Sequence, residues 1–390
     1  MNVFKGLIKK IIPKFLLSFY HYCLALIGAF FYGFPSKKLV VIGVTGTSGK
    51  STVVEFSALI LETAGFKVAS LSSLKFKIKD KEWENKLKMT MPGRMKIQRF
   101  FNQAVKAGCE CAVLEVTSEG IKQFRHKFID FKVAVFTNLS LEHIESHGGF
   151  EKYRAAKGKF FRAAKKIHII NKDDENSDYF WKIPAEKKIG YSLKEIDFLP
   201  KDFKLLGRFN LYNALAAIKV GLSQGVSLEI CQKALEKIKQ IPGRMEIVVK
   251  EPFKVIVDYA HTPAALEQVY KTLKDRPMIC VLGSCGGGRD KWKRPVMGKI
   301  ASRYCDQVII TNEDPYDENP VEIINQVVGD TKAEKILDRR EAIKKALESA
   351  MPGDIVIITG KGSEPWMCVK NNKKIPWSDK KIILDLLKGF

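Results

Sequence analysis

The chain has 390 residues, enough for two or three domains with buried cores. Its composition is ordinary for a globular protein, with 46% hydrophobic residues, but its formal net charge is +23. Such an excess suits nucleic acid, a membrane surface or anionic small substrates. The lysines are scattered and no nucleic-acid-binding module is recognisable, so no nucleic-acid partner is expected. The eight cysteines include no CxxC pair, and several lie in apolar runs, which argues against disulfides and a zinc site.

The first 38 residues contain lysines and no acidic residue. Up to Leu16, apolar residues recur at helical spacing with lysines on the other face, which predicts a basic amphipathic helix that Pro13 interrupts. Residues 15–34 then carry no charge, and at about 1.5 Å per residue a helix of this length could just cross a bilayer. A cleavable signal peptide fits poorly, because PSKK follows instead of a small-residue site.

Three interpretations of residues 1–38 stay open, namely a monotopic anchor, a spanning helix, and a helix docked on its own domain or on a partner. Spanning would put four lysines outside the cell if the following chain meets ATP in the cytoplasm, against the usual preference for positive charge inside. A monotopic anchor keeps both lysine clusters at the anionic inner face of the cell membrane. Attachment there, with the rest of the chain cytoplasmic, is the favoured prediction.

Residues 43–52 read GVTGTSGKST and lie between an apolar strand run, LVVIG, and a helical run that ends at Gly65. Strand, glycine loop and helix in this order predict a phosphate-binding loop, although Val44 breaks the usual GxxxxGK[ST] spacing. Backbone N–H groups would hold the phosphates, Lys50 would reach the β/γ oxygens of ATP, and the Ser51 hydroxyl would ligate Mg²⁺. The expected nucleotide-binding residues are Gly46, Thr47, Ser48, Gly49, Lys50, Ser51 and Thr52.

The loop variant TGTSGKST resembles that of the Mur ligase family, and further blocks follow in that family's order. They are LEVTSEG (114–120), FTNLSLEHIESHG (136–148), YRAAKGKFF (153–161), LGRFNLYNALAA (206–217), PGRMEIV (242–248), VDYAHTPAAL (257–266), GGGRDKWKRPVMG (286–298) and GKGSEPW (360–366). The resemblance runs from about residue 39 to the end and is nearest to the MurE type. It implies an ATP-dependent ligase that joins a muropeptide donor to an amino-acid acceptor through an acyl phosphate.

Pattern and resemblance together predict an α/β fold in three parts. Residues 1–38 form the membrane-associating segment, residues 39–241 an ATP-binding domain around a mostly parallel sheet, and residues 242–390 a smaller Rossmann-like domain. In the last part, FKVIVDY, PMICVLG, QVIITNE and DIVIITG are typical of strands. The family's usual first domain, which grips the UDP, is expected to be missing, so the way the donor is held stays open. A monomer is expected.

The resemblance implies roles for four residues at the centre of the chemistry. Glu115, at the carboxyl end of the strand run CAVLEV, and His143 are implied Mg²⁺ ligands beside Ser51, with two metal sites expected. Lys157 is implied to be carbamylated by CO₂, which turns it into an anion that supports the second Mg²⁺. Lys50 completes the catalytic set by neutralising charge on the transferred phosphate.

Further contacts are implied by the same blocks. Asn210 and Asn213 match asparagines that approach adenine, and Asp258 would suit ribose hydroxyls. The other implied nucleotide contacts are Arg244, Tyr259 and His261. The candidate substrate contacts, some of them in the segments TMPGR (90–94) and EDPY (313–316), are Thr90, Pro92, Arg94, Thr117, Ser118, Arg289, Lys293, Arg294, Asp314, Pro315, Tyr316, Gly360 and Glu364.

Two segments depart from the family's pattern, and the second leaves the acceptor amino acid unassigned. TMPGR (90–94) stands where MurE-type enzymes have TTPD, so Arg94 is new. EDPY (313–316) replaces the DNPR selector of diaminopimelate enzymes, so Tyr316 removes the arginine fork that would bind a second carboxylate.

Two other functions are kept as alternatives. One is a Mur-fold ligase for another carboxylate, such as a folylpolyglutamate-like enzyme; the other is a membrane-tethered nucleotide-binding protein that has lost ligation. The PGRMEIV and GRDKWKRP blocks favour the MurE type over folate ligases. Retention of Glu115, His143 and Lys157 argues against a non-ligating protein.

Overall fold

The computed structural model describes residues 13–87 and 89–388, and the chain divides into two compact units. The first unit holds the chain up to Leu139 together with Glu151–Lys201 and Leu211–Leu235. The second holds Ser140–Phe150, Asp202–Asn210 and the chain from Glu236 onward. The three-part division with its boundary after residue 241 stays a prediction, and the helix predicted before Pro13 lies outside the described residues.

The helices alternate with strands through both units, as the sequence pattern predicts. They are α1 (Lys14–Phe31), α2 (Lys50–Thr63), α3 (Arg94–Lys106), α4 (Ser118–Lys122), α5 (Ile144–His147), α6 (Phe150–Ala163), α7 (Ser177–Trp181), α8 (Arg208–Ser223), α9 (Leu228–Glu236), α10 (Pro263–Leu273), α11 (Lys293–Tyr304), α12 (Pro320–Val328), α13 (Arg339–Ser349) and α14 (Asp379–Leu387). Short 3₁₀ turns cover Pro35–Lys38, Leu193–Phe198 and Lys370–Asn372.

The first unit is built around one sheet. Its strands are β1 (Val40–Thr45), β2 (Val68–Leu71), β3 (Lys75–Ile78), β4 (Lys81–Glu84), β5 (Cys111–Glu115), β6 (Phe131–Phe136), β7 (Ile167–Asn171) and β8 (Lys187–Tyr191). The order is β4-β3-β2-β5-β1-β6-β7-β8, parallel except for the antiparallel pairings of β3 with β2 and β4. The central strands are apolar and buried along almost their whole length, as a parallel sheet covered by helices requires.

The second unit has its own sheet and core. Its strands are β9 (Glu246–Val249), β10 (Lys254–Val257), β11 (Met278–Leu282), β12 (Gln307–Ile310), β13 (Glu334–Lys335) and β14 (Ile355–Ile358), with a separate hairpin of β15 (Trp366–Val369) and β16 (Lys373–Pro376). The main sheet has the order β13-β12-β11-β14-β10-β9, and only β9 is antiparallel. The four predicted strand runs of this part form β10, β11, β12 and β14.

Helix α1 begins directly after Pro13 and packs one face on the first unit. Ala25 and Ala29 are buried, and a Cβ on Gly28 would come within 2.9 Å of the Sδ atom of Met95 on α3. Small side chains therefore let α1 approach α3 closely. Of the three interpretations of this segment, docking on its own domain agrees with these contacts. Within the described ranges, no helix combines the length and apolarity needed to cross a membrane.

A buried ion pair in the second unit gives a stability prediction. Arg339 Nε and Nη2 donate to the two carboxylate oxygens of Asp379 at 2.9 and 2.8 Å, and both side chains are fully buried. Asp379→Ala would leave a buried guanidinium without its counter-charge, so the free energy of unfolding should fall by about 3–5 kcal/mol in urea titrations. Asp385→Ala, which breaks an exposed pair with Lys388, should change it by less than about 1 kcal/mol. Equal effects of the two changes would contradict this assignment.

Candidate active site

Residues 46–49 of the predicted phosphate-binding stretch form the loop that links β1 to α2, and the rest of the stretch opens α2. Gly46 leaves no room for a side chain, since a Cβ there would lie 1.8 Å from Thr137 Oγ1. Gly49 has a φ of 83°, and a Cβ on it would lie 2.3 Å from Asn213 Oδ1. Both positions therefore require glycine, and Asn213 is placed directly against the loop.

The residues that follow β6 hold the loop in shape. Thr47 N donates to Asn138 O and Ser48 N to Asn138 Oδ1, each at 2.9 Å. Thr137 Oγ1 donates to Ser48 O at 2.7 Å. Sequence reasoning missed Thr137 and Asn138 as loop supports, and the only signal for them was their place in the FTNLSLEHIESHG block.

Lys50 turns back over the loop that precedes it. Its ammonium donates to Gly46 O at 3.1 Å and to Thr47 O at 2.8 Å. A charged phosphate oxygen is a stronger acceptor than a neutral carbonyl, so a bound nucleotide can draw this ammonium away from the loop. The position fits the predicted role of Lys50.

Ser51 and Glu115 meet at the carboxyl ends of β1 and β5. Ser51 Oγ donates to Glu115 Oε1 at 2.7 Å, and Ser73 N donates to the same oxygen at 2.6 Å. Glu115 is 1% exposed. Hydroxyl and carboxylate oxygens are the ligands that Mg²⁺ prefers, and this ion normally keeps waters or phosphate oxygens as well, so the pair fits the predicted metal.

The described residues offer no group of three or more His, Cys, Asp or Glu side chains placed to hold a metal on their own. A cation beside Ser51 and Glu115 would therefore need nucleotide or water oxygens to complete its shell. His143 belongs to the second unit, where it precedes α5 with a φ of 58°. Its role as a ligand stays a prediction.

Lys157 lies on α6 and is 1% exposed. Its Nζ donates to Gly46 O at 2.8 Å and lies 4.7 Å from the ring centre of Tyr153. Burial, followed by the like charge of Lys50, lowers the pKa of this amine well below that of an ordinary lysine. The neutral amine is the form that can add CO₂, so the environment suits the predicted carbamylation.

The buried amine makes stability depend on pH in a defined direction. The relevant pH window lies between the lowered pKa of Lys157 in the folded protein and its pKa of about 10.5 in the unfolded chain. Within this window only the unfolded chain binds the proton. The free energy of unfolding should therefore rise with pH by about 1.4 kcal/mol per pH unit in that window. Lys157→Met should remove this contribution in urea titrations of CO₂-free protein, whereas exposed Lys159→Met should not. Identical slopes for all three proteins would mean that Lys157 keeps an ordinary pKa.

Two arginines of the first unit share one partner near the TMPGR segment. Arg94 Nε donates to Gln123 O at 2.9 Å, and Arg125 Nη2 donates to Gln123 Oε1 at 2.8 Å. Arg94 Nη2 and Arg125 Nε are buried without a hydrogen-bond partner among the described residues. Burial, and then the charge of Arg94, lowers the pKa of Arg125 to about 10. Two cations with N–H donors that make no hydrogen bond suit an anionic group. Gln123 and Arg125 were not predicted from the sequence.

Among the other predicted substrate residues of this unit, Thr117 has a structural role. Thr117 caps α4 by accepting a hydrogen bond from Gly120 N at 3.1 Å, and Ser118 is buried beside it. Thr90 and Pro92 flank Met91, whose carbonyl accepts from Arg125. Their contacts with substrate stay predictions.

In the second unit, two predicted cations are already paired. Lys293 Nζ donates to Glu142 Oε1 at 3.1 Å and to His261 O at 3.0 Å, with both ion-pair side chains buried. Arg294 is fully buried and donates to Glu318 Oε2 at 2.9 Å. A substrate anion would have to compete with these carboxylates. Arg294 Nη2 also donates to Cys285 O at 3.0 Å, so this residue supports the Gly-rich loop, residues 286–289.

Several predicted residues gather around Lys361. Its ammonium donates to both oxygens of Asp314 at 2.9 Å and to Glu364 Oε2 at 2.5 Å. Glu364 Oε1 accepts from Tyr259 OH at 3.1 Å. Lys361 was not singled out from the sequence, although it lies in the GKGSEPW block.

Glu313 and Gly360 form the inner part of the same cluster. Glu313 Oε2 is buried with no hydrogen-bond partner in the described chain, and a Cβ on Gly360 would lie 1.9 Å from it. Pro315 precedes Tyr316, whose φ is 53° and whose ring lies 2.6 Å from the position of a Cβ on Gly287. The selector segment therefore sits on the Gly-rich loop that carries Arg289.

The predicted nucleotide contacts of the second unit lie on neighbouring loops. The Arg244 guanidinium stacks 4.3 Å from the Tyr259 ring centre, and His261 Nδ1 is 2.8 Å from Tyr259 O. Asp258 accepts backbone N–H bonds from two residues at 2.7 Å, one to each oxygen, so its ribose role stays a prediction. Asn210 Nδ2 donates to Leu206 O at 2.7 Å.

Two family models match the chain, Mur ligase middle domain over residues 44–199 and Mur ligase, glutamate ligase domain over residues 243–362. A UDP-N-acetylmuramoyl-L-alanyl-D-glutamate--2,6-diaminopimelate ligase from Syntrophomonas wolfei is 38% identical over 94% of this chain and 82% of its own length. A ligase of the same name from Aquifex aeolicus is 36% identical over 92% of this chain and 80% of its own.

Solved structures agree with the sequence matches. A diaminopimelate ligase of the same name superposes with a TM-score of 0.58 at 30% identity, covering 90% of this chain and 78% of that one. A bifunctional folylpolyglutamate synthase/dihydrofolate synthase from Yersinia pestis, complexed with AMPPNP and Mn ion, gives a TM-score of 0.70 at 18% identity, covering 87% and 90%. At that identity the second likeness establishes the fold alone.

Proposed function

The chain belongs to the Mur ligase family, and we propose that it is an ATP-dependent ligase that adds an amino acid to the stem peptide of a peptidoglycan precursor. One observation carries the proposal beyond family membership. Lys50 and Lys157 both donate to the carbonyl of Gly46, at 3.1 and 2.8 Å, so the lysine of the YRAAKGKFF block lies at the phosphate loop. The family resemblance implies that this second lysine is carbamylated, so its place beside the loop supports a ligase over a plain nucleotide switch.

The reaction has two balanced steps. An oxygen of the donor carboxylate attacks the γ-phosphorus of ATP, and the bond to the β-phosphate oxygen breaks to give ADP and an acyl phosphate. The acceptor amine then attacks the acyl carbon, loses a proton, and the C–O bond breaks to release phosphate. The protein's task is to bring anions together and to neutralise their charge, which is the role proposed for Lys50.

Magnesium is the proposed metal, bound by Ser51 and Glu115 with nucleotide oxygens, and His143 is proposed as a further ligand. When bound, the metal screens the phosphate charges that would repel the donor carboxylate. A carbamate on Lys157 would add an anion for a second Mg²⁺. The burial of the Lys157 amine, which lowers its pKa, supports that modification.

The Arg94–Gln123–Arg125 cluster is the proposed site for an anionic part of the donor. Its two guanidinium groups have buried donors without partners and no acidic side chain bonded to them in the described chain. Whether the anion is a phosphate or a carboxylate of the muropeptide is left to experiment. Binding of the intact donor and of a dephosphorylated muropeptide, compared by calorimetry, separates the two.

Tyr316 gives a prediction about the acceptor. Replacing it with arginine supplies a planar fork for a second carboxylate, so Tyr316→Arg should raise kcat/KM for diaminopimelate relative to lysine by about tenfold or more. Product masses from a competition between the two amino acids measure this ratio. Tyr316→Phe, which keeps the ring on Gly287, should leave the ratio unchanged. If the arginine variant also leaves it unchanged, Tyr316 does not face the acceptor.

We also propose where the ligase works. Because its co-substrate is ATP, the two units are placed in the cytoplasm, attached to the inner face of the cell membrane through residues 1–38. The lysine-rich composition of this segment supports attachment to anionic lipid.

One assay tests the function. Phosphate release from ATP is measured with a muropeptide donor plus an amino-acid panel, with folate plus glutamate, and with neither substrate. The proposal expects release only in the first arm, and mass spectrometry of that product identifies the acceptor. Release in the folate arm would favour the folylpolyglutamate-like alternative, and release that needs no acceptor would favour a non-ligating protein.

A further inference from the structure

Helix α1 exposes an unusually apolar face. Eight of its exposed large side chains fall into two rows with spacings of four, seven and four residues, which a helix of 3.6 residues per turn places side by side. A ninth, Tyr22, packs its ring against Phe124 and Phe128. The rows are Phe15, Phe19, Leu26 and Phe30, and Leu16, Tyr20, Ile27 and Phe31. Each is at least 40% exposed, and Phe30 reaches 77%.

This face is not needed to hold α1 on the protein. Docking uses the opposite side of the helix, where Ala25, Gly28 and Ala29 pack against α3. Leaving so many aromatic and aliphatic side chains in water costs free energy, and an apolar patch of this extent on a soluble domain marks a contact surface.

The surroundings of the face are basic. The sequence contains no acidic residue before Glu55, while exposed Lys37 and Lys38 follow α1 directly. Helix α3, against which α1 packs, contains no acidic residue either and exposes Lys96 and Arg99. The face therefore lies between two segments, residues 13–38 and α3, that carry cations and no carboxylate, which is a pattern that favours anionic lipid. The nearby Asp130, whose N–H donates to Ser36 Oγ, has its carboxylate paired with Lys132.

The apolar face of α1 and its basic surroundings fit a protein partner less well than a lipid surface. In a symmetric dimer the same patch would face its own copy, which would bring the lysines of both chains together. The two rows also offer a protein partner few hydrogen-bonding groups, the Tyr20 hydroxyl being the only polar side-chain group among their eight residues.

We propose that α1 lies flat in the interfacial region of an anionic phospholipid bilayer, with both rows turned to the acyl chains and Lys37, Lys38 and the α3 cations at the headgroups. The proposal deepens the membrane attachment stated above and identifies the contacting surface. A helix that has one side on its own domain and the other in lipid runs along the bilayer and does not cross it. The Arg94 cluster, at the start of α3, is then held close to the membrane surface.

Flotation of the full-length chain with vesicles tests the contact. The chain should float with phosphatidylcholine vesicles that contain phosphatidylglycerol and bind pure phosphatidylcholine more weakly. The double variant Phe19→Ser, Phe30→Ser should reduce partitioning by at least about tenfold, since each exposed ring loses its burial in lipid. The matched control Leu337→Ser, Met351→Ser changes two exposed apolar residues of the second unit and should bind like the original chain.

A second pair of variants tests the contribution of the lysines to vesicle binding. Lys37→Glu, Lys38→Glu should weaken binding to anionic vesicles by at least about twentyfold. Lys237→Glu, Lys239→Glu makes the same charge change at exposed positions of the second unit and should have little effect. A third variant, Ile27→Trp, adds a tryptophan to one of the two rows. Its fluorescence should be quenched by brominated acyl chains if the rows face the lipid.

Three results would overturn the proposal. One is vesicle binding that survives the Phe19, Phe30 double change. Another is Ile27→Trp fluorescence that brominated lipid leaves unquenched. The third is a chain that ignores vesicles but forms a dimer, by light scattering, which the same double change dissociates; that result would assign the face to a second copy. Ligase activity is measured in parallel without vesicles, so failure of lipid binding is distinguishable from failure of the proposed reaction.

Discussion

Lys50→Ala is expected to lower ATP-dependent phosphate release by at least about 10³-fold. The ammonium lies at the phosphate loop, 2.8 Å from Thr47 O, where it would stabilise negative charge that grows on the transferred phosphoryl group. Electrostatic stabilisation of this kind acts in the transition state more than in the bound substrate, so kcat should fall more than KM rises. Stopped assays with coupled phosphate detection measure the loss.

The control for this change is Lys67→Ala, an exposed lysine of the same unit, which should retain activity. Thermal melting of both variants should be close to that of the original chain, because the loop carbonyls of Gly46 and Thr47 to which Lys50 donates are neutral groups. Retention of more than a tenth of the activity by a folded Lys50→Ala protein would remove Lys50 from the catalytic set.

Lys157→Ala is expected to lower kcat by about 10²–10³-fold, the usual effect of deleting one preorganised charged group. The loss should be partly restored by added acetate or propionate, since a small carboxylate can occupy the space of the missing carbamate. Chemical labelling with ¹³C-bicarbonate should give a carbamate signal in the original chain and none in the variant.

Lys159→Ala is the matched control, because it removes an exposed lysine two residues along the same helix. Full activity of Lys157→Ala would show that carbamylation is not required. A loss that no carboxylate restores, without a ¹³C signal in the original chain, would assign Lys157 to positioning of the phosphate loop through Gly46 O.

The local part of the site was predictable because it depends on neighbours in the chain. An apolar strand, a glycine loop and an amphipathic helix fix where Gly46, Gly49 and Lys50 lie, whatever surrounds them. The same holds for Glu115, which ends a strand whose carboxyl end had to lie at the ligand-binding edge of a parallel sheet. Lys157 was placed on a helix from pattern and at the site from family resemblance.

The sequence did not predict which charged groups are available to bind substrate, because most of their partners are far away in sequence. Lys293 bonds Glu142 across 151 positions, and Arg94 bonds Gln123 across 29. Neither periodicity nor spacing in the sequence predicts such pairs. Only the folded structure determines whether a cation is available to bind substrate or is paired with a carboxylate of the protein.

The N-terminal segment shows most clearly which features the sequence predicts and which depend on the tertiary structure. The sequence by itself determined that residues 15–34 are uncharged and helical in pattern, and that ordered motifs from residue 43 onward belong to a Mur ligase. It could not separate a docked helix from a spanning one, since both need the same apolar composition. The tertiary structure decided this through Ala25, Gly28 and Ala29, whose small side chains allow close packing on α3 and turn the larger residues outward. Which apolar side chains are buried depends on the shape of the surface they meet, and that surface exists only after the chain has folded.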